Sequence, residues 1–160
     1  MKTTIIVFGE TSNKNSIQLE KEYVKRISPF SSVEYITLKE EKMGKTISED
    51  QIKQKEEDKF FEVFNKINKN KNIFLIACDV KGKSFTSEKF AIKLKEISVQ
   101  FAGVTFVIGG SLGLSENILQ QANLRLSFSS MTFPHDLFRT FLFEQIYRGF
   151  MINNNRKYHR

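Results

Sequence analysis

The fold is decided by Phe106-Val107-Ile108-Gly109-Gly110 and, further along, by Leu126-Ser127-Phe128-Ser129-Ser130-Met131-Thr132-Phe133-Pro134-His135. In each stretch, an apolar run typical of a buried strand ends in a turn of small or kinked residues. Backbone-lined turns at the carboxyl ends of strands are where α/β proteins bind small ligands. The two turns together predict a small-ligand site in the last third of the chain.

Short apolar runs alternate with segments of helical periodicity along the rest of the chain. Apolar residues three and four positions apart predict helices, and unbroken apolar runs predict strands buried on both faces. Strands are predicted over residues 4–8, 33–38, 73–78, 104–108 and 124–128, and a last helix over residues 136–152. This order predicts an α/β fold, with a mostly parallel sheet flanked by helices, in a single domain spanning residues 1–160.

Local signals predict where several elements begin and end. A serine hydroxyl accepts hydrogen bonds from the free backbone N–H groups at the start of a helix. Ser48, Ser87 and Ser115 each precede a helical pattern, so each is predicted to cap a helix. Residues 79–83 are predicted to form the loop that leaves the third strand.

The charge of the chain favours an anionic partner. The 25 Lys and Arg residues outnumber the 18 Asp and Glu residues and give a formal net charge of +7. Basic side chains release counterions from nucleic-acid phosphates, which favours binding to RNA or DNA. The alternative is a solvated lysine-rich surface that binds nothing acidic.

The cysteine count and the apolar runs bear on the compartment. Cys78 is the single cysteine, so no intrachain disulfide forms, which is typical of a reducing cytoplasm. The apolar runs are far shorter than the ~20 residues that a membrane span needs. The run near the amino terminus is also too short for a secretion signal. We therefore expect a soluble, cytoplasmic protein without a membrane partner.

Several common catalytic patterns are missing from the sequence. There is no P-loop motif, and Gly109, Gly110 and Gly113 do not have the spacing of a dinucleotide-binding fingerprint. The two histidines and the single cysteine are widely spaced, so no metal site is expected. A nucleophile elbow of the form G-x-S-x-G is also missing.

The two late turns each allow a structural and a functional interpretation. Gly109-Gly110 either makes an ordinary tight turn or lets the backbone lie directly against a ligand. The segment from Ser127 to Pro134 either packs as a loop before the last helix or offers apolar walls and backbone amides to an adenine ring.

The last helix and the tail are also open to two interpretations. The helix carries a wide apolar stripe that favours either a subunit interface or a deep core, formed by Leu137, Phe138, Phe141, Leu142, Ile146, Tyr147 and Phe150. Arg148 either pairs with Glu144 one turn away or clamps a phosphate. In the basic tail, Tyr158 can stack on a base, and the alternative is a frayed terminus.

The motifs resemble those of the RlmH family, the large-subunit ribosomal RNA methyltransferases of the SPOUT superfamily. The resemblance runs the whole length of the chain. It rests on residues 79–83, residues 106–110 with Gly113-Leu114, Leu126-Ser127-Phe128-Ser129, Met131-Thr132-Phe133-Pro134-His135, Glu144-Gln145-Ile146-Tyr147-Arg148 and Tyr158-His159. The resemblance implies a homodimer with a C-terminal trefoil knot. It also implies S-adenosylmethionine as the cofactor and, as the reaction, methylation of N3 of a pseudouridine in large-subunit rRNA of the assembled ribosome.

Carried over by position, the resemblance implies a cofactor pocket lined by Cys78, Gly109, Phe128, Ser129, Ser130, Met131, Thr132 and Phe133. Relatives usually have leucine at position 78, so this chain departs from the family there. We expect Cys78 to form a wall of the pocket rather than to act as a nucleophile.

The acceptor nitrogen must lose a proton, and histidine has the intrinsic pKa suited to a general base. His159 on the partner's tail is the first candidate and His135 the second. The target nucleotide is expected to be seated by Arg148, Tyr158 and Arg160. Two other classes of function stay open: a ribosome-binding protein that has lost catalysis and a doubly wound nucleotide-binding protein.

Overall fold

The computed structural model describes residues 1–11, 13–44, 47–69 and 71–158. Strands and helices alternate through these residues. In chain order they are β1 (Lys2–Phe8), α1 (Lys14–Ile27), β2 (Ser32–Leu38), α2 (Glu49–Asn68), β3 (Ile73–Ser84), α3 (Ser87–Gln100), β4 (Gly103–Ile108), α4 (Glu116–Gln121), β5 (Leu124–Ser127) and α5 (His135–Asn153).

The strands form one sheet in the order β2-β1-β4-β3-β5, and every pair of neighbours is parallel. Gly103 at the start of β4 pairs with Lys2 of β1 on one side and with Ile73 of β3 on the other. Because all strands run the same way, their carboxyl ends meet at one edge of the sheet. The predicted α/β fold with a parallel sheet is confirmed, while the trefoil knot stays a prediction.

Each face of the sheet is covered by its own helices. Side chains of α1, α3 and α5, such as Ile27, Leu94 and Ile146, pack on one face. Those of α2 and α4, such as Phe60 and Ile118, pack on the other. Successive strand residues point to opposite faces, so the continuous apolar runs of the central strands supply both cores.

The predictions at the ends of the elements were partly correct. Ser48 and Ser115 cap α2 and α4, as predicted, and Ser48 forms a full capping box with Gln51. The prediction for Ser87 was wrong, because Thr86 caps α3 by accepting a hydrogen bond from the Lys89 N–H. The Ser87 hydroxyl instead donates to Gln145 of α5 at 2.8 Å.

The prediction of a loop over residues 79–83 was also wrong. Strand β3 continues to Ser84, because Lys83 and Ser84 pair with Leu126 and Ser127 of β5. The register shifts between Cys78 and Lys83, so β3 is irregular where it passes the carboxyl edge of the sheet. A Cβ at Gly82 would lie 2.6 Å from the Arg125 carbonyl carbon, so a side chain there would prevent this close pairing.

Candidate cofactor site at the carboxyl edge of the sheet

A cavity of about 230 Å³ opens at the carboxyl edge of the sheet, beside the irregular part of β3. Its walls come from β3, from the turn after β4, and from the segment that joins β5 to α5. The lining residues are Cys78, Asp79, Val80, Ile108, Gly109, Gly110, Ser111, Gly113, Leu114, Leu126, Ser127, Phe128, Ser129, Met131, Thr132, Phe133, His135 and Phe138. Most of the cofactor residues predicted from the sequence therefore meet in one place.

The turn after β4, which we call the 109–114 turn, needs glycine at two positions. A Cβ at Gly109 would lie 2.7 Å from the Gly113 carbonyl carbon and 2.8 Å from the Leu114 nitrogen. Gly113 has φ +74°, in the left-handed region that glycine adopts at little cost. The chain doubles back on itself tightly here, and its backbone forms one wall of the cavity.

The segment between β5 and α5 is held at its base and open at its tip. The Ser127 hydroxyl lies within donating distance, 3.0 Å, of the carbonyl oxygens of both Val80 and Ser129. The Phe128 ring packs against Phe138 of α5 with centroids 5.0 Å apart. Met131 at the tip is 71% exposed. The lining thus combines an anchored aromatic wall with an exposed thioether that is free to cover a ligand.

Of two further residues predicted for the site, Ser130 lies outside the cavity and His135 lies at its mouth. Ser130 is exposed and is not among the residues that line the cavity. His135 is the first residue of α5 and lines the cavity mouth, although it is exposed to solvent.

Cys78 forms part of the inner wall. Burial, followed by the negative charge of Asp79, raises the pKa of its thiol to about 12. A thiol with such a pKa stays protonated at neutral pH and is a poor nucleophile. Its surroundings therefore suit a wall residue.

A second cavity, of about 310 Å³, adjoins the first and shares the walls Leu126, Ser127, Phe128 and Phe133. Its far side is formed by the start of α3 and by Phe141, Glu144 and Gln145 of α5. This cavity was not predicted from the sequence, because no local pattern indicates that α3 and α5 meet beside β5.

A chain of hydrogen bonds runs from the second cavity to the tail. Gln145 accepts from Ser87 at 2.8 Å and donates to Glu144 at 2.6 Å. The Glu144 carboxylate also accepts from Arg148 at 2.6 Å and from the Tyr158 hydroxyl at 3.3 Å. The Glu144–Arg148 pair that the spacing suggested is present within α5, and the bond from the Tyr158 hydroxyl to Glu144 joins the tail to this helix.

Tyr158 packs against its own chain. Its ring lies 4.8 Å from the Tyr147 ring, and the Arg148 guanidinium carbon lies 4.9 Å from the Tyr158 centroid. Burial, with the charge of Glu144 among the further causes, raises the pKa of Tyr158 to about 12, so the hydroxyl remains a donor. The other two predicted tail residues, His159 and Arg160, lie outside the described residues.

Within residues 1–11, 13–44, 47–69 and 71–158, no three His, Cys, Asp or Glu side chains come together as metal ligands. Over the same part of the chain, none of the helices combines the length and the apolar character needed to cross a bilayer.

Fold and site together define a class: a parallel α/β protein with a ligand cavity at the carboxyl edge of its sheet, built from late turns. The chain belongs to the SPOUT methyltransferase family, because the family model described as "Predicted SPOUT methyltransferase" matches residues 1–159. The resemblance inferred from the motifs is thereby confirmed.

Curated relatives match along their whole length. A protein of Enterococcus faecalis named "Ribosomal RNA large subunit methyltransferase H" is 37% identical, and the alignment covers 100% of both chains. A protein of Clostridium perfringens with the same name is 42% identical over 100% of both chains.

Solved structures show the same fold at low identity. "A probable methylase family protein" from Haemophilus influenzae Rd KW20 has a TM-score of 0.58 at 14% identity, over 99% of this chain and 70% of that one. The SpoU methyltransferase AviRb from Streptomyces viridochromogenes has a TM-score of 0.51 at 10% identity, over 97% of this chain and 61% of that one.

Proposed function

We propose that this protein uses S-adenosylmethionine to methylate N3 of a pseudouridine in large-subunit ribosomal RNA, acting on the assembled ribosome. The observation that carries the proposal is the cavity at the carboxyl edge, where Cys78, Gly109 and the segment around Phe128 and Phe133 come together. The names of relatives at 37% and 42% identity support methylation of large-subunit ribosomal RNA.

The lining fits the proposed cofactor. Apolar side chains such as Phe128 and Leu126 can contact the faces of an adenine ring, and the 109–114 turn offers backbone groups to its edge. The first cavity is smaller than the ~300 Å³ at the lower end for ligand pockets. The adjoining cavity of about 310 Å³ gives an elongated ligand room to extend past Phe128 and Phe133.

The cofactor and the residues of the chain have different roles in the proposed reaction. The bound cofactor supplies a methyl group that is already activated by its positive sulfur. The residues of the chain then bind, orient and exclude water, because the correct alignment of donor and acceptor supplies much of the rate. Apolar walls suit this task, since they hold the reactants without offering a competing nucleophile.

A general base would take the proton from N3 of the acceptor. Of the two histidines, His135 lines the cavity mouth, which supports it as a candidate. His159 stays a candidate from the sequence, as does Arg160 for binding the RNA. Arg148 and Tyr158 stay candidates for seating the nucleotide. The Arg148 guanidinium lies over the Tyr158 ring, so a base that stacks on this face takes the place of that contact.

A homodimer accounts for the outer part of α5. Leu142 and Ile146 belong to the core, whereas Leu137 and Phe141 are 49% and 41% exposed. The wide stripe thus divides into a core side and an exposed apolar side. We propose that the exposed side faces a second copy of the chain.

The proposal includes a single domain and a cytoplasmic location. All strands of the described residues join one sheet, which supports a single domain over residues 1–160. A ribosomal substrate supports a cytoplasmic location.

The test is mass analysis of the large-subunit rRNA after incubation of unmethylated ribosomes with the protein and isotope-labelled S-adenosylmethionine. We expect one labelled methyl group on the base of a pseudouridine in a hairpin loop. Ribosome binding without any methyl transfer would point instead to a protein that has lost catalysis. Calorimetric preference for a dinucleotide over S-adenosylmethionine would contradict the proposal.

A further inference from the structure

A carboxylate from a distant part of the chain lies behind the 109–114 turn. Glu40 belongs to the segment between β2 and α2, 71 residues before Ser111 in the sequence. Its Oε1 accepts a hydrogen bond from the Ser111 backbone N–H at 2.6 Å. Ser111 lines the cofactor cavity and Glu40 does not, so the carboxylate supports the wall from outside.

Two glycines provide the space that this carboxylate occupies. A Cβ at Gly110 would lie 2.8 Å from Glu40 Oε1, and a Cβ at Gly9 would lie 2.9 Å from Glu40 Oε2. Gly9 directly follows β1 and has φ +83°, and Gly110 lies just beyond the end of β4. The Glu40 carboxylate therefore sits between the ends of two neighbouring strands and bonds to the turn that follows one of them.

The surroundings of Glu40 favour its charged form. Burial alone would raise the pKa of Glu40, but hydrogen bonds from Ser111 and the nearby His135 and Arg139 together hold the pKa below its usual value. A charged acceptor forms a stronger hydrogen bond to a backbone N–H than a neutral acceptor does. His135 also lines the cavity mouth, so the carboxylate neighbours two separate parts of the wall.

We propose that Glu40 is a positioning residue, which holds the 109–114 turn in the shape that binds the cofactor. The proposal rests on the proposed function insofar as S-adenosylmethionine occupies this cavity. The contact itself is independent of that assignment, because it orders the turn before any ligand binds. Within the turn, the Gly113 N–H donates to the Gly110 carbonyl oxygen at 3.0 Å. Because three glycines give this backbone unusual freedom, the bond from Ser111 to Glu40 adds an anchor from outside the turn.

The experiment compares the wild type with Glu40→Ala and Glu40→Gln by two measurements. Calorimetry gives the dissociation constant for S-adenosylmethionine, and hydrogen exchange followed by NMR gives the protection of the Ser111 amide in the free protein. For Glu40→Ala we expect about 10-fold weaker cofactor binding and faster Ser111 exchange, because a charge-assisted hydrogen bond is lost. Glu40→Gln keeps an acceptor oxygen and is expected to recover about half of this loss on a logarithmic scale.

The matched control is Glu41→Gln. Glu41 is the next residue, but its carboxylate pairs with Lys59 on the side of α2 and not with the turn. We expect this variant to bind the cofactor and to protect Ser111 as the wild type does. A general effect of removing negative charge from this segment would appear equally in Glu40→Gln and Glu41→Gln and would overturn the proposal.

Other outcomes are equally decisive. Wild-type affinity in Glu40→Ala would overturn the proposal, whether or not Ser111 exchange changes. If Glu40→Ala does not fold by circular dichroism, the same two measurements on Glu40→Gln decide, and wild-type values there overturn it. Failure of the wild type to bind S-adenosylmethionine would instead contradict the proposed function, while loss of Ser111 protection in the variants would still show that Glu40 orders the turn.

Discussion

Arg139 of α5 reaches under the end of β1 and donates from Nη2 to the Gly9 carbonyl oxygen at 2.6 Å, and to that of Phe8 at 3.1 Å. The side chain is almost completely buried, with 2% exposure. It thereby ties the last helix to the first strand of the sheet.

Replacing Arg139 by Met should lower the free energy of unfolding by about 2–4 kcal/mol, because the buried Phe8 carbonyl and the half-buried Gly9 carbonyl both lose a charged donor. Urea denaturation of the variant and the wild type measures this difference. The matched control is Arg26→Met, whose guanidinium is exposed and pairs with Glu22 within α1. We expect a much smaller change there, and equal losses in the two variants would contradict a structural role for Arg139.

Glu20 should make stability depend on pH. Burial raises the pKa of Glu20 above 4.5, and the nearby Tyr35 hydroxyl and the charge of Arg139 only partly offset this. Because the folded pKa lies above the unfolded one, the folded state binds the proton more tightly in the interval between them. The contribution of protonated Glu20 to the free energy of unfolding is therefore fully present below pH 4.5 and is lost as the pH rises through the folded pKa.

Glu20→Gln should consequently be more stable than the wild type at pH 7, and the two should converge at about pH 4. Urea denaturation at both pH values measures the difference. Glu22→Gln on the exposed side of the same helix serves as the control. A wild-type advantage that grows from pH 4 to pH 7 would show that the sign is wrong.

Gly109→Ala should disrupt the cofactor wall. The added Cβ would meet the backbone of Gly113 at 2.7 Å, and backbone atoms cannot rotate out of the way as a side chain can. We expect cofactor affinity to fall by at least about 10-fold, since the turn must open to make room for the alanine side chain. Gly44→Ala is the control because, among the described residues other than its chain neighbours, none has an atom within 4 Å of the added Cβ there. Calorimetry on both variants decides whether the effect is local to the turn.

The Cys78 thiol should be unreactive in the folded protein, since its pKa is about 12. Labelling by a thiol-specific disulfide reagent at pH 8 should be slow in buffer and fast in concentrated urea. Cys78→Ala should keep methyl-transfer activity, because we assign the thiol no chemical step. Rapid labelling of the folded protein, or complete loss of turnover in well-folded Cys78→Ala, would contradict the role of a wall residue.

Leu137→Glu should dissociate the proposed dimer by placing a charge in its apolar contact. Light scattering coupled to size-exclusion chromatography at micromolar concentration measures the mass. The matched control is Val99→Glu on α3, since Val99 is also apolar and is 81% exposed. A dimer that survives Leu137→Glu but is lost in Val99→Glu would move the interface from α5 to α3.

The amino-acid pattern alone was sufficient to predict the features that depend on neighbouring residues in the chain. The five predicted strands, the caps at Ser48 and Ser115 and the Glu144–Arg148 pair all appear in the structure. Hydrophobic periodicity, capping and one-turn pairs are local properties, so they can be read from nearby residues. The family motifs added residues that line the cavity, such as Gly109 and Phe133, although Ser130 does not line it.

Tertiary contacts decided the rest. The polar end of β3 is a strand because β5 lies beside it, and no local propensity favours a strand at Gly82. The second cavity requires α3 and α5 to meet, and the Glu40–Ser111 bond joins residues 71 positions apart. Such contacts depend on which strands lie side by side in the sheet. Sequence periodicity therefore determined the elements, and the packed sheet determined the walls of the site.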